Sequence, residues 1–458
     1  MYGYYPIISG VLLALAFPKF NLWPLAWFAL VPFFFALNKA RDWKESLFCG
    51  LSFGLVFFSI NLFWVTSLFR FVGGWAVFGW VCLVVFQSLF IVLFSTFKFQ
   101  LSKPFLIAAL WVAIEWLRAW GPFGVTCGGV GYSQADFLPL IQIASFLSVY
   151  GVSFLVVLVN AYLAFLLLSV GRNPRLKSGE LFPACRQARP TIYYGVSILI
   201  LLAVIYCYGS WVLNCKSNAI LPKLALIQPN IDQFDRMNPR LTAQNFDIQA
   251  DLTRQASAEI FVWPETAVFS YLLRDPALFQ KFRNLAKEKK AWLVVGTPHY
   301  GDDRRIFNSI ISISPSGEVF SRYDKRRLVP FGEYLPFRPL LYPLLKQTGY
   351  YEENFDFGGE PQPIIAGKYK IAAGICFEST FPDVMRARAG DFMLVVTNDA
   401  WFGDSSAPYV HLNAGIFRAI ENRKYFVQVG NTGFSAVIDP CGRVIKKSRL
   451  NEREVLIK

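Results

Sequence analysis

Three short segments place an acid, a base and a nucleophile in one chain. They are Trp263-Pro264-Glu265-Thr266, Tyr323-Asp324-Lys325 and Gly374-Ile375-Cys376-Phe377-Glu378, about sixty and then fifty residues apart. A carboxylate, an ammonium and a thiol are the parts of an acyl-transferring thiol enzyme. The nucleophile of such an enzyme is the thiolate, whereas an ordinary Cys, with a pKa of about 8.5, is mostly protonated at neutral pH. Glu265, within hydrogen-bond reach of Cys376, would take its proton during attack and return a proton to the leaving group. The tetrahedral oxyanion formed by attack needs fixed donors, each worth roughly 3 to 4 kcal/mol. Lys325 is the candidate, with the amide of Phe377 as a second donor. Only two histidines exist, His299 and His411, neither near Cys376 in sequence, so a Cys-His pair is not indicated. Each residue taken singly has a plainer reading: a small buried Cys at a strand end, a solvated loop Lys, a Glu beside a helix start. Their joint occurrence carries the chemical one.

The segments that must position these groups alternate between β-rich and amphipathic helical runs. Strands are expected at residues 224–228, 260–263, 292–296, 310–313, 371–375, 394–397, 426–429 and 436–438, and helices near 240–257, 276–289, 380–389 and 408–423. That alternation implies an α/β domain over residues 214–458, and about 240 residues suffice for a substantial core. Reactive groups in such folds collect at the carboxyl ends of strands. Glu265, Cys376 and Asn398-Asp399 each sit just past one.

The first half is a different kind of chain. Residues 1–213 hold only Asp42, Glu45, Glu115, Asp136 and Glu180 of the 31 acidic residues, and the whole protein is 54% hydrophobic and 17% aromatic. Such a composition lies outside the range of ordinary soluble domains. Residues 47–69, 75–97, 141–169 and 193–213 are long and apolar enough to span a bilayer. Shorter runs at 2–17, 21–37 and 104–120 bring the expected count to seven. The amino terminus lacks a basic leader and a small-residue cleavage pattern, so it reads as a retained membrane segment. Basic residues cluster in alternate loops, at Lys39, Arg41 and Lys44, at Lys98 and Lys103, and at Arg172, Arg175, Lys177, Arg186 and Arg189. The positive-inside rule then puts residues 214–458 outside the cytoplasm. Charges at membrane depth are rare and tend to pair, so Glu115 and Arg118 read either as an ion pair or as a lipid-headgroup contact. The Gly- and aromatic-rich stretch 120–137 suits either a flexible lid or a lipid-access rim.

The net charge of +14 is accounted for by these anchors and by scattered surface Lys and Arg. No interleaved basic and aromatic patch of a nucleic-acid binder is present in the sequence. The eight cysteines show no C-x-x-C or Cys/His spacing, so neither a disulfide framework nor a zinc site is indicated.

The motifs Trp-Pro-Glu-Thr, Tyr-Asp-Lys with Leu-Val-Pro-Phe-Gly-Glu-Tyr following, Gly-Ile-Cys-Phe-Glu and Asn-Asp-Ala-Trp-Phe-Gly-Asp look like the nitrilase, or carbon-nitrogen hydrolase, superfamily. With Glu115-Trp116-Leu117-Arg118 and Gly131-Tyr132-Ser133-Gln134 in the membrane half, they most resemble its membrane-embedded branch, the apolipoprotein N-acyltransferases. The resemblance covers nearly the whole chain and implies a membrane domain, residues 1–213, followed by an extracytoplasmic αββα sandwich. It implies Glu265, Lys325 and Cys376 as catalytic residues, supported by Glu333, Glu378 and Phe377, with Glu333 as an orienting or second proton-transfer group. Phe234, Asn398 and Trp401 become candidate substrate contacts. No metal or organic cofactor is implied. The implied donor is a phospholipid of the phosphatidylethanolamine type, the acceptor a diacylglyceryl-modified apolipoprotein, and the location the bacterial cytoplasmic membrane.

Two departures stand out. The position near Met237 where the family often carries a Trp has none, leaving Phe234 as the nearest aromatic, and Val455-Leu456-Ile457-Lys458 closes the sheet without the final spanning helix of the family pattern. A membrane-tethered nitrilase-type amidase and a non-catalytic lipid-binding or transport protein remain the alternatives.

Overall fold

The computed structural model describes residues 3–97, 101–171, 188–215, 219, 221–346, 354–386 and 388–458. Of the basic-loop residues above, Lys98, Arg172, Arg175, Lys177 and Arg186 lie outside these. The chain forms two compact units, Met1–Cys215 and Lys216–Lys458.

The first unit is helical: α1 (Tyr5–Leu15), α2 (Ala26–Ala29), α3 (Val31–Lys39), α4 (Trp43–Asn61), α5 (Phe69–Val72), α6 (Gly74–Thr96), α7 (Pro104–Arg118), α8 (Leu138–Ile141), α9 (Ala144–Gly171) and α10 (Ala188–Asn214). Four of them, α4, α6, α9 and α10, are long and apolar enough to cross a membrane. The expected segment 47–69 is displaced. Asp42 caps α4 by accepting the Glu45 N–H at 2.9 Å while Glu45 accepts the Arg41 N–H at 2.8 Å, so the helix starts earlier and ends at Asn61. The three shorter apolar runs become α1, the pair α2 and α3, and α7, whose 15 residues cover about 22 Å.

Helix α6 is patterned inside out. Gln87, Ser88 and Ser95 are buried, while Phe78, Val81, Val85, Leu89 and Leu93 are exposed. Water would drive the opposite arrangement; a hydrocarbon surround leaves the polar groups to find partners inside the bundle. Gly50 and Gly54 let α4 press onto this polar face, since a Cβ at Gly50 would lie 2.5 Å from Ser95 Oγ.

The stretch 120–137 is a packed loop rather than a flexible lid. Val130 N–H and Trp111 Nε1 both donate to Glu115 Oε1 at 2.8 Å, Arg118 donates to the Cys127 carbonyl at 2.9 Å, and Gln134 bonds Trp27 and the Trp23 carbonyl. Glu115 and Arg118 therefore serve this loop, whose buried backbone groups require partners.

The second unit carries two six-stranded sheets. Its strands are β1 (Leu224–Gln228), β2 (Ile260–Trp263), β3 (Trp292–Tyr300), β4 (Ile306–Ile313), β5 (Val319–Asp324), β6 (Ile364–Ala366), β7 (Tyr369–Ile375), β8 (Phe392–Thr397), β9 (Phe426–Gly430), β10 (Ala436–Ile438), β11 (Val444–Lys447) and β12 (Glu454–Ile457). The sheet orders are β12-β1-β2-β3-β4-β5 and β11-β10-β9-β8-β7-β6. Strands β1, β2 and β3 run parallel, as do β7, β8 and β9. The helices are α11 (Gln233–Met237), α12 (Thr242–Arg254), α13 (Pro276–Lys289), α14 (Arg338–Leu345), α15 (Pro382–Arg386) and α16 (Ala407–Asn422).

Alternation along the strands builds the layers. Leu224, Leu226, Ile260, Val262 and Val294 pack between the sheets against Ile375, Leu394, Val396 and Val427. Ala225, Ile227, Phe261, Trp263 and Val295 face outward onto Phe246 of α12 and Phe282 and Leu285 of α13. Helix α16 packs against β9 and β10 of the second sheet. Strands covered on both faces read as continuous apolar runs, which is why the central ones are visible in the sequence. The edge strands β5, β6 and β11 escape that signal: β6 is three residues long, and β11 is exposed and ends in Lys446 and Lys447, a common device for blunting a sheet edge.

Candidate active site

Glu265, Lys325 and Cys376 each follow the end of a strand, β2, β5 and β7 respectively. Behind Glu265, Trp263 is fully buried against Phe246 and Phe282 and donates from Nε1 to Thr253 Oγ1 at 3.0 Å. The Pro264-Glu265 backbone lies directly on β3 at Gly296. A Cβ there would come within 2.4 Å of the Pro264 carbonyl and 2.7 Å of Glu265 Cα, so only glycine leaves room. Arg236 of α11 donates to the carbonyls of Glu265 and Thr266 at 3.2 and 2.7 Å. Burial lowers its guanidinium to about 10 against the opposing pull of Glu265.

Lys325 is 1% exposed. Its main chain is held by β4, with Lys325 N–H donating to the Asn308 carbonyl at 2.8 Å, and its Nζ lies 2.8 Å from Glu333 Oε1 and 3.4 Å from Glu265 Oε1. Burial alone would pull the ammonium down, but Glu333, Glu265 and the Cys376 sulfur together outweigh it and raise it above the usual lysine value. The side-chain nitrogen of Asn308 reaches the same Glu265 and Glu333 oxygens at 2.8 and 2.9 Å, and Glu333 Oε2 accepts the Val329 N–H at 2.8 Å. Lys325 and Asn308 thus hold two carboxylates together. Sequence reasoning missed Asn308, although a polar residue in the apolar strand Ile306-Phe307-Asn308-Ser309-Ile310 was the available signal.

Cys376 has φ +50°, a left-handed conformation uncommon for a residue with a Cβ. It turns β7 sharply into a single 3-10 segment, Cys376–Thr380, much as nucleophiles are presented on strained strand-to-helix turns. The residue as a whole is partly exposed. Burial pushes the thiol well up, the Glu265 charge pushes it further, and Lys325 opposes them. Burial and Glu265 thus favour the thiol over a preformed thiolate. An arrangement of this kind can transfer a proton from sulfur to carboxylate in concert with attack on an acyl carbon, with an ammonium alongside for the oxyanion.

Residues 9–162 match the family model for the apolipoprotein N-acyltransferase N-terminal domain, and residues 223–458 match that for carbon-nitrogen hydrolases. Over 472 residues the chain is 35% identical to an apolipoprotein N-acyltransferase of Geobacter metallireducens, covering 98% of this chain and 87% of that protein. The chain belongs to the apolipoprotein N-acyltransferase family. A relative of the same name from Vibrio parahaemolyticus is 30% identical over 476 residues, with 98% and 88% covered. Among solved structures, a CN-hydrolase superfamily protein of Xanthomonas campestris aligns at 21% identity with a TM-score of 0.38, covering 52% of this chain and 89% of that one.

Other residues singled out in this family member fall in different places. Glu378 does not join the Lys325 cluster. It is completely buried and accepts from Tyr323 Oη at 2.7 and 2.8 Å, from the N–H groups of Ile375, Arg326 and Arg327, and from Arg388 at 3.0 Å. Burial works against its charge, but Arg388, Tyr323 and those amides win and hold it below the usual glutamate value. Glu378 thereby ties the turn bearing Cys376 to the chain around Lys325. Asn398, 1% exposed, donates to Gln233 Oε1 at 2.8 Å and accepts from Asn431 at 3.1 Å, so both ends of its amide meet protein. Gln233 and Arg236 form the buried face of α11, while Phe234 lies on its exposed face. Phe377 packs edge-on against Phe381, and Trp401 sits partly exposed in the turn Asp399–Trp401.

Proposed function

We propose that this protein transfers an acyl chain from a phospholipid, of the phosphatidylethanolamine type, to the N-terminal amine of a diacylglyceryl-modified apolipoprotein. The observation that carries this is the buried Lys325 ammonium, bound to Glu265 and Glu333 and facing Cys376. In the first step Cys376 attacks the ester carbon as Glu265 takes the thiol proton. Lys325 stabilises the oxyanion with the Phe377 amide, and Glu265 returns the proton to the departing lysophospholipid oxygen. In the second step the acceptor amine attacks the thioester, forming an amide, and its proton passes through Glu265 to the sulfur. Glu333 and Asn308 keep Lys325 and Glu265 at fixed separation through both steps; Asn398 holds α11 at the rim, with Phe234 and Trp401 as apolar contacts for acyl chains.

Both substrates are lipids held in a bilayer, and limiting water at a thioester suppresses its hydrolysis, which accounts for joining the site to a membrane unit. We place the protein in the bacterial cytoplasmic membrane with seven apolar segments, residues 1–213 forming the membrane domain and residues 214–458 the catalytic domain on the outer side. Lys39, Arg41, Lys44 and Lys103 would face the cytoplasm.

Incubation of the purified protein in phospholipid micelles, followed by intact-mass measurement, tests the reading. It requires an acyl-chain increment on Cys376, removable by neutral hydroxylamine, with equimolar lysophospholipid; C376A should show none while keeping its melting temperature. A folded wild-type protein that keeps a free thiol under these conditions overturns it.

A further inference from the structure

Glu265 and Cys376 come from different sheets, the first following β2 and the second β7. A run of four buried side chains ties the turn at Glu265 to the sheet of Cys376. Asn431, just past β9, accepts the Ile231 N–H at 3.0 Å and donates to the Ile231 carbonyl at 2.8 Å and to Asn398 Oδ1 at 3.1 Å. Asn398, just past β8, donates to Gln233 Oε1 at 2.8 Å. The same Gln233 oxygen accepts Arg236 Nε at 3.1 Å, and Arg236 Nη1 ends the run on the Glu265 and Thr266 carbonyls.

Every amide in this run has one possible orientation, settled by the bonds it makes. The Ile231 N–H requires Asn431 Oδ1, so Asn431 Nδ2 meets Asn398 Oδ1 and Asn398 Nδ2 meets Gln233 Oε1. From the other end Arg236, which has donors only, requires the same Gln233 oxygen. Gln233 Nε2 is left buried without a hydrogen-bond partner among the described residues. Flipping that amide would set its NH₂ against two donors, so an unmade bond is the lesser cost. The Arg236 end is equally specific. Thr266 takes φ +45°, a left-handed value that a β-branched residue rarely adopts, and this turn aims two successive carbonyls at one nitrogen. The hydrogen bonds of this buried cation thus go to Gln233 and to main chain rather than to a carboxylate.

We propose that Arg236 is a positioning residue for Glu265, fixing the turn that carries the base to the sheet that carries the nucleophile through Gln233, Asn398 and Asn431. This rests on Glu265 being the base that serves Cys376. Lys325 and Asn308 hold the carboxylate end of Glu265, and Arg236 holds its main-chain end. Helix α12 supports both neighbours separately, Asn245 donating to the Asp235 carbonyl at 3.0 Å and Gln249 to the Ala267 carbonyl at 2.8 Å. Loss of Arg236 therefore loosens the turn without freeing α11.

Two measurements on the full-length, detergent-solubilised protein test this. The Thr266 carbonyl and the Ala267 N–H belong to one peptide unit, held by Arg236 on one side and by the Gly296 carbonyl, at 2.8 Å, on the other. In R236M, peptide-resolved hydrogen exchange should quicken about tenfold or more at Ala267 and stay unchanged in β8, whereas general destabilisation would quicken both. Acylation of Cys376 in phospholipid micelles should slow about tenfold or more in R236M. In an E265Q background the same substitution should change the residual rate by less than about twofold, because its effect passes through the base. Unchanged exchange at Ala267, or an R236M effect as large in E265Q as in the wild type, overturns the proposal. Should R236M fail to melt cooperatively, Q233M, which removes the acceptor of Arg236 Nε, is judged by the same two results. Faster exchange at Ala267 in R236M with no acyl-Cys376 in the wild type would sink the acyl-transfer reading and leave the tie between Arg236 and the Glu265 turn standing.

Discussion

Replacing Lys325 with Met preserves length and removes the cation that bridges Glu265 and Glu333. At an effective dielectric of about 20, attractions at 2.8 and 3.4 Å are worth about 6 and 5 kcal/mol gross. Desolvation of a lysine that is 1% exposed offsets much of this. The measurable quantity is the cost of leaving the partners behind, about 3 to 5 kcal/mol for a broken buried pair. The geometry supports that size: one Asn308 nitrogen reaches both carboxylates at 2.8 and 2.9 Å, so those oxygens lie within about 6 Å and repel by about 3 kcal/mol.

For a domain of this size the loss corresponds to roughly 6 to 20 °C in melting temperature. Its sign with pH is distinctive. In K325M the repelling carboxyls bind a proton more tightly folded than unfolded, so the variant should regain stability as pH falls from 8 toward 5. In the wild type the raised Lys325 contributes stability that is fully present below the ordinary lysine value of about 10.4 and lost as pH rises through its folded value. Its own loss is therefore confined to alkaline pH. Melting curves of both proteins from pH 5 to 8, with intact-mass acylation at each pH, check this, and K325M/E333Q should recover stability but not acylation. A K325M deficit that is absent, or independent of pH over that range, refutes the claim that Lys325 holds the two carboxylates together.

E265Q should separate two effects of one carboxylate: acylation falls by about 10²- to 10⁴-fold with the base gone, while iodoacetamide labelling of Cys376 at neutral pH rises because a charge opposing the thiolate is removed. E378Q strands Arg388 in the interior and should cost about 3 to 5 kcal/mol in chemical denaturation at pH 7. Because Glu378 is held below its ordinary value, its contribution is present above about pH 4.3 and lost as pH falls through the folded value, so E378Q should show a flatter acid limb than the wild type. G296A forces a Cβ against the Pro264-Glu265 backbone; it should destabilise by about 1 to 3 kcal/mol and reduce acylation in the fraction that remains folded, measured by melting and intact mass together.

Much of this molecule is local and therefore legible in the residue order. Strands covered on both faces are runs of apolar residues, helices long enough for a bilayer are long apolar stretches, and the acid-poor first half separates one solvent from another without any contact being known. Glu265, Lys325 and Cys376 stand out because their types and order carry chemistry. The edge strands β5 and β11 do not stand out, since a strand with one partner and an exposed face needs neither length nor hydrophobicity, and β6 is only three residues long. Tertiary structure alone decided what each charge is paired with. Glu333 and Glu378 both belong to the motifs, yet one lies 2.8 Å from Lys325 and the other is spent on Tyr323, Arg388 and three backbone amides. Asn308 acquires its place beside Glu265 and Glu333 only once β4 pairs with β3 and β5. Local sequence sets backbone conformation and which face is apolar. The sign and strength of an electrostatic contact depend on distances of a few ångströms between residues far apart in sequence, and those distances exist only after strand register has closed them.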